Sequence, residues 1–345
     1  MIHYTTNATV CQESETRLKG KRVISMKKFS IPAVAVLLLC AVLGVSLISC
    51  GTSSPQPPHG PGTVTFTDAL GREVSIHEPP GRVAALLGSF ADVWVLAGGE
   101  LCAAAEDAWE DFGLELGDAV HIGGAHSPSL EPLLAADPDL VLASASTASH
   151  VDMKDTLEAM GITVAYFNVD NYEDYLAMLA ICTDLTGRKD LYEQNGLQVR
   201  EQIQQIKSAY AAEGLTDESR TILLLRASSG AVKAKGSEGT ILGEMLADMG
   251  CINVADTDGS LLENLSVEAV IRARPRHIFV VTMGSSTDAA IASLENMMAE
   301  NPAWGTLEAV RAGRLHVMDK ALFNLKPNDR WGEAYRKLYE TLIQE

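Results

Sequence analysis

The stretch SLEPLLAADPDLVLAS, from Ser129 to Ser144, decides how this chain is read, because SVEAVIRARPRHIFVV, from Ser266 to Val281, repeats its construction. Ser129, Glu131 and Pro138 align with Ser266, Glu268 and Pro275 at one constant offset of 137 residues. In each copy a serine suited to cap a helix opens the unit. A proline stops the helix, and an apolar run follows, LVLAS in one copy and HIFVV in the other. Such a run reads as a strand buried on both faces of a parallel sheet.

Working outward, the same alternation surrounds both copies. RVAALL, LCAAAED and ITVAYF read as strands near the first copy, with helices in FADVWVLAGG and MKDTLEAMG. TILLLRA and RLHVMD read as strands near the second, with a helix in ILGEMLADMG and a closing amphipathic helix from about Asn328 to Ile343. VTFTDALGREVSI ahead of them reads as a hairpin about Ala69-Leu70-Gly71. Between the copies, residues 171–186 and 189–212 read as long helices with no strand between them. The second would be roughly 35 Å long at ~1.5 Å per residue, and so stiff. The expected fold class is α/β: two doubly wound lobes with mainly parallel sheets, joined by one long helix, with a ligand cleft between the lobes.

The N-terminus reads as a leader. Met26-Lys27-Lys28 precedes the apolar run from Ile31 to Ser49, and a Pro-rich stretch follows Cys50-Gly51. Leu47-Ile48-Ser49-Cys50 has the form of a lipobox, in which Cys50 is acylated and becomes the mature N-terminus. The competing reading is an uncleaved membrane anchor. Translation from Met1 and from Met26 both fit. The expected boundaries are a signal peptide over 1–49, the lipidated cysteine and a flexible tether over 50–63, an N-terminal lobe over 64–186, a linker helix over 187–213 and a C-terminal lobe over 214–345.

The formal net charge of −18 argues against nucleic acid as a partner. Cys102, Cys182 and Cys251 are too few and too scattered for a disulfide framework or a zinc site, and read as free thiols. No GxSxG, HExxH, P-loop or GxGxxG occurs, and His77, His121 and His277 have no serine or cysteine at an interpretable spacing, so the chain does not read as an enzyme.

Glu131 and Glu268 fall in the first turns of the repeated helices. Stabilisation of the helix dipole, worth about 0.3–1 kcal/mol, accounts for either alone. It does not account for a serine two positions earlier in both copies. The functional reading is one carboxylate per lobe, offered to two arginines of a symmetric partner.

FTDALGREVSI, PGRVAAL, SLEPLLAADPDLVLA, GEMLADMGCINVA, SVEAVIRARP and NPAWGTLEAVRAGRLHVMD together resemble the substrate-binding proteins of ABC importers for iron–siderophore, haem and cobalamin, the class III fold with a rigid helical linker. The resemblance covers about residues 64–345. It implies an extracytoplasmic lipoprotein, anchored to the cell membrane and monomeric, that captures an iron complex, a ferric siderophore before haem or cobalamin (vitamin B12). It implies delivery to a permease dimer with its ATPase subunits, Glu131 and Glu268 being the docking acids. A membrane-tethered scavenger or adhesin without a permease is the alternative from another class.

Loops at the strand ends supply the candidate ligand contacts: Ser89, Phe90, Trp109, His126 and His150 from the first lobe, and Arg226, Lys235, Met283, Lys326, Arg330 and Trp331 from the second. Aromatic faces pack on flat ligands, while Arg and Lys pair with carboxylates. His126, His150 and Met283 are candidate axial haem ligands, or else hydrogen-bonding and core residues. A ferric siderophore already fills the iron shell, so no protein metal ligand and no resident cofactor are expected; any iron or cobalt arrives with the ligand.

Overall fold

The computed structural model describes residues 63–344, Ser285 excepted. The leader, Cys50 and nearly all of the tether lie outside the described residues. Among the described residues no helix is long and apolar enough to cross a membrane.

Two sheets organise the chain. The first has five parallel strands in the order Val120–His121, Leu101–Ala104, Val83–Ala85, Leu140–Ser144, Thr163–Phe167. The order reverses between Val83–Ala85 and Leu140–Ser144. The second sheet runs Val232–Lys235, Thr221–Ala227, His277–Thr282, Leu315–Val317, and Ile252–Asn253 also pairs with Thr221–Ala227. Its one antiparallel edge is Val232–Lys235. Here the order reverses between Thr221–Ala227 and His277–Thr282. The two repeated units therefore supply equivalent strands, each beside the first strand of its lobe. Residues 107–128, read as loop from sequence, contribute the short fifth strand. A helix over Thr287–Glu300 and the Val232–Lys235 edge also went unread in the sequence.

Strand residues alternate between two apolar layers, as doubly covered sheets require. Val83, Ala85, Leu140 and Leu142 face one layer, while Ala84, Val141 and Ala143 face the other. Ile222, Leu224, Phe279 and Val281 belong to the same cluster as the first set. One continuous core thus runs through both lobes, by way of Tyr175, Val199, Ile203, Leu242, Met245, Trp331 and Leu338.

The connection explains why. Helix Tyr172–Thr186 opens with a capping box at Asn171 and stops at Gly187, φ 71°. A second helical run then extends through Lys189–Tyr192, a π-type turn at Glu193–Leu197, and Gln198–Ala212. A π turn frees backbone carbonyls. Tyr175 Oη donates to Asn195 O at 2.9 Å and Tyr172 Oη to Gly196 O at 2.7 Å. Gly196 lets the two helices approach closely, because a Cβ would lie 2.6 Å from Leu176 Cδ1 and the leucine would have to shift. The closing helix Trp331–Leu342 packs along the same run. The lobes are braced along the linker, which disfavours a large hinge motion.

Candidate functional site

Open α/β sheets bind ligands outside the carboxyl ends of their strands, at the point where strand order reverses. In the first lobe this places the loops after Val83–Ala85 and Leu140–Ser144 at the site. Ser89 is buried there, and its carbonyl accepts from Asn328 of the other lobe. Trp109 is half-buried and stacks on exposed His121, with ring centroids 3.7 Å apart and planes 14° from parallel. His126 is exposed on the turn between Gly123–Gly124 and Ser127–Pro128.

Two expectations for this lobe are corrected. Phe90 is 1% exposed and sits edge-on to Phe167, so it is core. His150 is fully buried, its Nδ1 accepting from Ser144 N and its Nε2 donating to Ala125 O at 2.7 Å. Both ring nitrogens are used, and burial lowers its pKa, so neutral His150 ties two loops together instead of facing an iron centre.

The second lobe carries the charge. In the antiparallel register Arg226 lies opposite Lys233, and Leu224 opposite Lys235. Directly opposed residues share a sheet face, so Arg226, Lys233 and Lys235 form one cationic face. Arg226 and Lys235 line a cavity of about 900 Å³ together with Ser237, Thr240, Asp256 and Leu262. Of its three acids, Asp256 Oδ1 accepts from Ser237 N and Glu244 Oε1 from Gly239 N, and Glu238 is exposed. Arg226 Nε is buried with no partner. Burial pushes the Arg226 guanidinium down, and burial followed by the charges of Arg226 and Lys233 pushes Lys235 down. Both groups gain from a bound anion. Lys233 was not singled out from sequence; the strand register, which the sequence does not print, is what places it here.

The other candidates of this lobe divide. Met283 is exposed directly after strand His277–Thr282. Lys326 is half-buried; burial lowers its pKa, while Asp170 and Asp174 oppose the shift. Arg330 is exposed and pairs with Glu333 of its own segment at 2.9 Å. Trp331 is fully buried and meets Tyr172 edge-on at 6.2 Å, so it anchors the closing helix to the linker side and the expectation of a ligand contact fails.

Glu131 and Glu268 are both exposed, in the first turns of Leu130–Ala135 and Val267–Ala273. Ser266 Oγ accepts from Ala269 N and donates to Glu268 Oε2 at 3.0 Å. The backbone N–H at the helix start, and then Ser266, hold the Glu268 carboxyl below its ordinary value. Ser129 makes no such cap. Cys102, Cys182 and Cys251 are free thiols, and burial pushes Cys182 up to about 12. Among the described residues no group of three or more His, Cys, Asp or Glu is placed to hold a metal.

Residues 83–322 match the family model described as periplasmic binding protein. YhfQ of Bacillus subtilis (strain 168), named as an ABC transporter substrate-binding lipoprotein, is 22% identical over 307 residues, covering 84% of this chain and 92% of its own. The Fe(3+)-citrate-binding protein YfmC of the same organism is 24% identical over 298 residues, covering 82% and 90%. Staphylococcus aureus SirA complexed with staphyloferrin B superposes with a TM-score of 0.64 at 22% identity, covering 82% of this chain and 99% of SirA.

Proposed function

Because the chain belongs to the periplasmic binding protein family, whose members are substrate-binding transport proteins and not enzymes, we propose that it captures an anionic ferric chelate and hands it to an ABC permease. The class, ABC-type substrate-binding proteins for iron–siderophore, haem and cobalamin, follows from the family and its relatives. The narrower choice of ligand rests on one observation. Arg226, Lys233 and Lys235 share a face on which buried Arg226 Nε has no partner and the charges of Arg226 and Lys233 both disfavour the charge on Lys235. A chelate with free carboxylates supplies the missing charge through charge-assisted hydrogen bonds. The Fe(3+)-citrate name of YfmC agrees with that chemistry. Of the three candidate haem ligands, His150 is already spent on the loops, which leaves the exposed His126 and Met283.

Cys50 is the proposed lipid anchor at the extracytoplasmic face, with residues 51–63 as its tether. The lobes are residues 64–186 and 214–345, and the linker spans 187–213. Glu131 and Glu268 are the proposed docking acids, one per lobe, for a two-fold permease with its ATPase subunits, engaged by a single copy of this chain. The test is the double variant Glu131→Arg with Glu268→Arg. Cellular uptake of ferric citrate falls at least about tenfold while the affinity of the purified protein stays within about twofold. Unchanged uptake removes the docking role.

A further inference from the structure

Apart from the cationic face, the lobes touch at a buried polar point beside the strand-end loops of the first lobe. Asn328 precedes the helix Trp331–Leu342, is fully enclosed and holds φ = 50°. Its Nδ2 donates to Ser89 O at 2.9 Å and to Asp92 Oδ2 at 2.7 Å. Both acceptors lie on Gly88–Leu96 of the N-terminal lobe. Both N–H groups of the amide are therefore used across the lobe boundary, whereas its Oδ1 is buried with no partner. A buried acceptor left unmatched is the feature that needs explaining. A carboxylate cannot donate to it; a carboxylic acid can.

We propose that Asp92 and Asn328 form a proton-controlled clasp between the two lobes, in which the acid form of Asp92 donates its O–H to Asn328 Oδ1 while still accepting from Nδ2. The proton comes from solvent. The two bonds make an acid–amide pair and satisfy the one polar atom the ionised form leaves over. Lys320 Nζ and Asp111 Oδ1, 2.8 Å apart, form a second link between the lobes and carry no unmatched acceptor.

The surroundings of Asp92 suit a proton taken up near neutrality. Burial raises its carboxyl to about 6 against the opposing Asn328 bond; the charge of Asp329 adds to the rise and that of Arg330 reduces it. Helix Tyr172–Thr186 brings Tyr175, whose hydroxyl donates to Asn195 O and stays protonated, burial driving its pKa far up. Helix Asp107–Glu110 brings Asp107, which turns to Gly88 N at 2.9 Å. The strands beneath, Val83–Ala85, Leu101–Ala104 and Leu140–Ser144, bring no charged side chain. A carboxyl raised on folding stabilises the folded chain below its ordinary pKa, and that contribution is lost as pH rises through about 6. Acidification thus closes the clasp, and neutral solution loosens it.

The test needs no ligand, so its failure is separate from any failure of the binding proposal. Spectroscopic labels are placed on the full chain at exposed Met160 of the first lobe and exposed Ile271 of the second, and the inter-lobe distance distribution is followed from pH 4.5 to 8. The wild type shifts to a narrower distribution on acidification, with a midpoint near about 6. Asp92→Asn and Asn328→Ala each abolish the shift, and Asp92→Asn, whose amide pairs with Asn328 as the acid form does, retains the wild-type melting temperature at pH 4.5. In unfolding measurements the folded-to-unfolded ratio of wild type, relative to Asp92→Asn, falls on the order of 100-fold from pH 4 to pH 8. A wild-type distribution that does not change with pH, or a shift that persists in Asp92→Asn, overturns the clasp.

Discussion

Asp137 and Arg274, 137 positions apart, both hold φ = 49°, so the two repeated units share a left-handed backbone step just before Pro138 and Pro275 as well as a sequence pattern. The step lets a short helix stop and turn its chain into a buried strand in each lobe. It comes at a cost, because a side chain in this region is strained by roughly 1–2 kcal/mol, less for aspartate than for arginine.

Arg274 closes helix Val267–Ala273, a position where glycine is the usual residue. Arg274→Gly is expected to stabilise the chain by about 0.5–1 kcal/mol, the relief of strain exceeding the added freedom of the unfolded chain. Asp137→Gly is expected to gain less, because aspartate tolerates the conformation and the Asp137 carbonyl accepts from Arg82 Nε at 2.9 Å in either case. Urea unfolding midpoints of the two variants test the ranking. A loss of stability in Arg274→Gly would show that the arginine side chain matters more than its backbone.

His277 and His316 give the second lobe an acid limit. His277 Nδ1 and His316 Nε2 are 3.1 Å apart, and His277 Nε2 is buried with no partner. Burial pushes both down to about 4, helped at His277 by His316, Arg276 and Arg314 and at His316 by Arg314. Depressed histidines keep their contribution above pH 6.5 and lose it as pH falls through about 4. Each histidine is expected to remove on the order of 3 kcal/mol across that window. Asp92 works in the opposite sense, so the comparison is made in Asp92→Asn: stability at pH 7 minus stability at pH 4.5 shrinks when His316→Gln is added. An unchanged difference sinks the assignment.

How far the sequence carried the fold follows from which signals are local. The repeated Ser–Glu–Pro unit, the apolar strands and the glycine-stopped helices are set by neighbouring residues, and they produced two doubly wound lobes. Val120–His121 is two residues long and has no run to detect. The π turn at Glu193–Leu197 leaves no mark in a helical pattern; only Gly196, inside a helix where glycine is unfavourable, could have signalled it. Among the site residues, Arg226 and Lys235 come together in one cavity. Phe90, His150 and Trp331 are enclosed, because side-chain direction and tertiary packing are not properties of a loop's place in the sequence. Lys233 needed the strand register, and Asp92 with Asn328 needed a contact across more than two hundred residues.

The central claim is that the cationic face of the second lobe holds an anionic ferric chelate. Its most direct test is titration of the purified protein with ferric citrate, haemin and cyanocobalamin in parallel, followed by tryptophan fluorescence and absorbance at low and high salt. The account predicts saturable binding of ferric citrate that weakens with salt and falls at least about tenfold in Lys233→Glu with Lys235→Glu, and no change in the haemin absorption band. A shifted haemin band with no response to ferric citrate, or ferric citrate binding untouched by the double charge reversal, would contradict it.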